Sequence, residues 1–159
     1  MQLKTANASR SSPRPARSRP VASRSMPAAT ASRNAKPLAR LRAICMALPE
    51  AIEKTSHGEP SWFAGKGKMF AMLDNHHHGA AHVSVWLPAP LGAQEALVWR
   101  DPKRYFRPPY VGPRGWVGVV LDTKPNWKLV AELVADAYRL VAHPRLAKKL
   151  EETRREVVS

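Results

Sequence analysis

The chain has 159 residues, room for one domain of ordinary size but not for two. Its single cysteine, Cys45, excludes an intramolecular disulfide and any cysteine-based metal cluster, and no apolar run approaches the roughly 18–20 residues that span a bilayer. The formal net charge of +14 favours anionic partners such as nucleic acid or anionic lipid, and it leaves the fold open.

That charge is unevenly spread. Residues 1–40 hold nine Lys or Arg and no acid, while Leu41–Ser159 carries a net charge of only +5. Residues 1–37 are dominated by Ser, Ala, Arg and Pro, with almost no large apolar side chains. Such a segment cannot bury enough surface to offset its ordering entropy, so a disordered basic tail is expected. It reads as a solvated linker, as a cationic arm for phosphates, or as a transit peptide rich in Arg and Ser. It lacks the apolar core of a secretory signal, so a cytoplasmic protein is expected.

From Leu38 the pattern changes. Leu38, Leu41, Ile44, Cys45 and Leu48 recur at helical spacing, which predicts a helix opened by Pro37 and ended by Pro49. Cys45 falls on its apolar stripe and reads as an inert, buried thiol. A short strand over Glu50–Ser56 leads through the loop His57–Pro60 to strand-like runs at Ser61–Ala64 and Lys68–Leu73, joined by Gly65-Lys66-Gly67. A polar connection, Asp74–Gly79, precedes a strand over Ala81–Leu87. In that strand Val83, Val85 and Leu87 share one face and His82, Ser84 and Trp86 the other.

Ala89–Arg100 suits a short helix. The proline-rich stretch Asp101–Arg114 should be mostly irregular, with a short strand near Arg107–Val111, and Trp116–Leu121 is a clear strand. The strongest helix pattern lies in Lys124–Ala142, where Trp127, Val130, Val134, Ala137, Tyr138 and Val141 keep a helical rhythm. Thr123 is placed to cap it, Pro125 fits its first turn, and Lys128/Glu132 and Asp136/Arg139 are spaced for ion pairs. A polar helix over Arg145–Arg155 follows. The order, helix, three strands, helix, one or two strands, helix, implies a two-layer α+β sandwich with an antiparallel sheet and helices packed on one face.

With these segments in view, the chain resembles the MmcQ/YjbR family of small bacterial proteins. The residues that carry the resemblance are Leu41–Pro49, Ser56–Phe63, Gly67–Ala71, Arg107–Val117 and Ala137–Ala142, with Arg107–Val117 the most specific; together they cover roughly Leu38–Leu150. The resemblance implies an α-β(3)-α-β(2)-α fold similar to secretion chaperones, and a DNA-binding role through a double-wing arrangement of strands and loops. It carries over no defined set of site residues, and fold membership does not by itself fix function.

The leading constellation for function is basic. Arg100, Lys103, Arg104, Arg107 and Arg114 fall within fifteen residues, interleaved with Tyr105, Phe106 and Tyr110, and Lys66 and Lys68 occupy a separate glycine turn. Phosphate contact needs flexible cations, and planar side chains nearby favour base or sugar contact. The expected DNA-contacting set is therefore Lys66, Lys68, Arg100, Lys103, Arg104, Arg107, Tyr110 and Arg114. No recognition-helix or zinc-finger motif is visible, so backbone binding to double-stranded DNA is expected over sequence-specific reading.

His57, His76, His77, His78 and His82 raise the question of a metal, but neighbouring turn histidines diverge and no acidic ligand pattern accompanies them, so none is expected. Ser56, His57 and Glu59 have triad residue types without triad spacing, and no catalytic carboxylate pair emerges. Neither enzymatic activity nor a cofactor is expected. The tryptophans Trp62, Trp86, Trp99, Trp116 and Trp127 read as core residues, Trp86 being the one whose exposure on a sheet face would mark a protein partner or self-association. A small-molecule site would require a deep pocket lined by His57 or Tyr110.

Overall fold

The computed structural model describes residues 28–159. In chain order the elements are α1 (Ala28–Met46), β1 (Ala51–Ser56), β2 (Glu59–Ala64), β3 (Met69–Asn75), β4 (Val83–Leu87), α2 (Ala93–Arg100), β5 (Tyr105–Phe106), β6 (Val117–Val120), α3 (Trp127–Val141) and α4 (Pro144–Val158). The strands form a six-stranded sheet in the order β1-β2-β3-β4-β6-β5, with every neighbouring pair antiparallel. The α+β class and the antiparallel sheet are as expected. Four strands rather than three precede α2, because the Gly65–Lys68 turn separates two full strands that pair with each other.

The helices α1 and α3 lie against β1, β3 and β4, and α2 packs on β5. The alternation read from Val83–Leu87 sets the inner face of the sheet. Val83, Val85 and Leu87 join Val117, Val119, Phe70 and Trp62 in one core with Leu41 and Cys45 of α1 and Val130, Val134 and Tyr138 of α3. Tyr138 packs edge-on against Phe70, ring centroids 5.3 Å apart, and its hydroxyl donates to the Pro49 carbonyl at 2.6 Å. Cys45 is fully buried, and burial pushes its thiol well above the ordinary range, so it stays protonated and inert.

Several boundaries differ from the expectations, each for an identifiable reason. The expected disordered tail falls partly on residues 1–27, outside the described residues. From Ala28 the backbone is helical, and Pro37 lies inside α1 instead of opening it. Alanines at 28, 29, 31 and 35 favour helix strongly enough to offset the one hydrogen bond that proline cannot donate. The strand expected near Arg107–Val111 is absent. Pairing occurs one step earlier, at Tyr105–Phe106, because Pro108 and Pro109 have no N–H for a ladder.

Helix α2 starts at Ala93, after Pro90 and the left-handed Gly92 (φ 83°). Asn126, not Thr123, caps α3 by accepting from the Leu129 N–H at 3.3 Å, so Pro125 precedes the helix. Of the two ion pairs expected on α3, Asp136–Arg139 forms at 2.8 Å, and Lys128–Glu132 does not. Helix α4 begins at Pro144, with the His143 ring accepting from the Arg145 N–H.

A cleft on the outer face of the sheet

The register fixes what the outer face carries. Met72 stands opposite Trp86 and Ser61 opposite Met72, so these side chains form a row away from the helices. Gly118 pairs with both Trp86 and Phe106. A β-carbon at Gly118 would lie 2.3 Å from the Phe106 ring, so the absent side chain lets that ring lie across the sheet.

The segment 107–116 forms one wall over this face. Pro108 and Pro109 keep it out of the sheet, a single 3-10 turn over Gly112–Arg114 compacts it, and Gln94 of α2 ties it down. The buried Gln94 amide donates to the Gly112 carbonyl at 2.8 Å and also to the Trp116 carbonyl. Between this segment and the strands lies a cleft of about 800 Å³ whose lining includes His57, Lys68, Met69, Met72, Trp86, Tyr110, Arg114 and Trp116.

Two cleft residues hold left-handed backbone conformations without being glycine: His57 (φ 52°) and Tyr110 (φ 63°). His57 and Gly58 (φ 80°) are the two central residues of the β1–β2 hairpin, where Ser56 pairs with Glu59. Positive φ at both positions suits the right-handed twist of the flanking strands, and asparagine is the usual first residue. A histidine there places an imidazole at the end of the cleft at some backbone cost.

The expected DNA-contacting residues separate into groups. Lys68, Tyr110 and Arg114 line the cleft, and Lys66 is exposed on the same turn as Lys68. Arg107 faces a shallow depression on the opposite side of its loop, with Gln94, Val98 and Trp99. Arg100 and Arg104 border another hollow beside Tyr105, and Lys103 joins Arg104 near His82. Arg104 stands 3.6 Å from the Asp101 carboxylate. None of Lys66, Lys68, Arg100, Lys103, Arg107 and Arg114 has a carboxylate within ion-pairing distance among the described residues.

The question posed at Trp86 is answered, and the core reading of Trp99 is corrected. Trp86 is only 2% exposed, because the segment 107–116 and its neighbours cover the face on which it lies. Its indole N–H donates to Ser84 Oγ at 3.2 Å. Trp99, read as core, is 90% exposed on α2, where Leu91 just before the helix is also fully exposed. A helix of eight residues offers few positions to bury, and α2 turns Gln94 inward instead.

The histidines find separate partners. His77 pairs with Glu59 at 2.8 Å, His82 with Asp122 at 3.0 Å, and His76 Nδ1 lies 3.3 Å from the Ala80 carbonyl oxygen. Burial raises the Glu59 carboxyl above its usual range, partly countered by His77. Among the described residues no three His, Cys, Asp or Glu stand close enough to hold a metal ion. Among them also, no helix is long and apolar enough to cross a membrane.

Comparison with known proteins places this geometry in a family. The chain is similar in fold to the crystal structure of the Deinococcus radiodurans protein DR2400, a DUF419 domain, at 22% identity and a TM-score of 0.57, over 72% of this chain and 87% of that one. No curated protein matches the sequence. The YjbR family model matches residues 46–140, a span that takes in the strands, α2, the loop over the cleft and most of α3, so the chain belongs to the YjbR family.

Proposed function

We propose that this chain is a non-enzymatic protein that binds double-stranded DNA through its phosphate backbone, with little reading of sequence. The observation that carries this reading is the set of six cations, Lys66, Lys68, Arg100, Lys103, Arg107 and Arg114, none of which has a carboxylate partner among the described residues. An unneutralised cation on a loop can release a condensed counterion from DNA, and that release drives backbone binding. The family resemblance, with its double-wing arrangement, points the same way. The cations border separate places on the surface, and Arg104, held by Asp101, contributes less than the others.

Anisotropy titrations of a labelled duplex at several salt concentrations test this reading, with the full chain and with a chain starting at Ala28. Affinity should fall about a thousandfold between 50 and 200 mM salt for six or more phosphate contacts. Each cation replaced by alanine should reduce the salt slope by about one. Absence of binding by the Ala28 chain at low salt would remove the domain, though not residues 1–27, as the DNA-binding part.

A second reading, self-association or a protein partner, is favoured by Trp99. An exposed tryptophan beside Val98, Pro102 and the stem of Arg107 has the makings of an interface anchor. Light scattering should then show a species larger than the monomer that is insensitive to salt, and Trp99→Ala should return it to monomer. A monomer at all concentrations in the unmodified chain excludes self-association.

A further inference from the structure

The cleft calls for a ligand different in kind from a polyanion, argued from its apolar lining, although Lys68 and Arg114 also stand among the cations assigned to DNA. Its floor of Met69, Met72, Trp86 and Trp116 is apolar, and methionine side chains adapt to varied apolar shapes. No carboxylate lines it, while Lys68 and Arg114 do, with no ion pair among the described residues. The ligand therefore has an apolar body and an anionic group.

Shape narrows the class further. His57 lies in the turn before β2, and Lys68 lies beside Ala64 at the other end of that strand, about seven strand positions or roughly 20 Å away. Apart from Trp116, the floor belongs to β3 and β4, which are paired on both sides, so these strands offer side chains and no free backbone ladder. An extended peptide brings polar N–H and C=O groups that such a floor leaves unsatisfied. A single nucleic-acid strand brings a charge at every nucleotide. An acyl chain brings neither. The cleft volume of about 800 Å³ falls within the range of small-molecule sites.

We infer that this cleft binds a single-chain amphiphile with an anionic head, of the fatty-carboxylate class. The chain lies along Met69, Met72 and Trp116, and Lys68 and Arg114 attract the head.

Calorimetric titration of the full chain with octanoate, decanoate and dodecanoate, each below its micelle-forming concentration, tests the inference. Affinity should rise about two- to fourfold per added methylene, the step expected for partial to full burial of that group. Decyltrimethylammonium, with a ten-carbon chain and the opposite head charge, should not bind. Replacing Lys68 and Arg114 together by alanine should weaken dodecanoate about tenfold, whereas Arg100→Ala with Lys103→Ala, outside the cleft, should leave it unchanged. All four are exposed, so circular dichroism should match the parent chain.

Absence of saturable binding overturns the inference, as does affinity independent of chain length or equal affinity for the cationic amphiphile. So does loss of binding in the Arg100/Lys103 variant alone, which marks adsorption to general positive charge. An acidic peptide that binds in the cleft where the carboxylates do not also overturns it.

Discussion

Gln94→Leu is expected to lower folding stability by about 1–3 kcal/mol and to loosen the segment 107–116 from the sheet. The side-chain amide is the donor for two backbone carbonyls, those of Gly112 and Trp116. Leucine fills nearly the same volume but donates nothing. An unsatisfied buried polar group costs about 1–3 kcal/mol, and the loss falls on the Trp116 carbonyl, because the Gly112 carbonyl keeps the Gly115 N–H at 2.9 Å. Pro108, Pro109 and Pro113 have no N–H to offer the Trp116 carbonyl in its place. Hydrogen exchange should therefore quicken at Val111–Trp116 before the rest of the sheet opens, and Trp116 should become more exposed to quenchers. Unchanged exchange in that segment, with a wild-type denaturation midpoint, would show that Gln94 does not hold the wall of the cleft.

Trp62→Ala is expected to cost about 3–5 kcal/mol, the range for truncating a large core aromatic. Trp62 is fully buried on the inner face, and its indole N–H reaches Glu53 Oε2 at 3.2 Å. The same carboxylate accepts from Arg42 of α1 at 2.8 and 2.9 Å. The hydrogen bond from Arg42 is the main reason the Glu53 carboxyl is held below its ordinary range, with Trp62 adding a smaller contribution. One residue thus joins α1, β1 and β2. Alanine leaves a cavity and removes the link at once, while Trp62→Phe keeps most of the packing and should cost clearly less. Urea titration would read both as shifts in midpoint at constant slope. A loss below about 1 kcal/mol for alanine would mean that the neighbouring core collapses into the space, against the usual stiffness of packed interiors.

Much of the architecture was legible because it rests on periodicity. The alternation of Val83, Val85 and Leu87 against Ser84 and Trp86 predicted the two faces of β4, and the rhythm from Trp127 to Val141 predicted the face of α3 buried against the sheet. Boundaries were less legible, since a cap depends on local geometry: Asn126 takes the role expected of Thr123, and alanines carry α1 back through Pro37.

The candidate site was legible only in part. Arg100, Lys103, Arg104, Arg107 and Arg114 form one cluster along the chain, yet Arg107 and Arg114 line different hollows. Lys68, distant in sequence, joins Arg114 instead. Nothing in the run Ala93-Gln94-Glu95 distinguishes the glutamine that pins the loop from the glutamate beside it. Trp86 and Trp99, both read as core, part company for the same reason: what covers a side chain is decided by a segment elsewhere in the chain.

Residue order alone determined the class of fold, the family resemblance, the inert thiol and an excess of cations, because each follows from composition or from short-range spacing. Tertiary structure alone decided that a covered cleft exists, which two cations face it and which tryptophan meets solvent. Those are consequences of long-range packing, in which a proline-rich loop barred from the sheet must fold over one of its faces and is fastened there by a single amide.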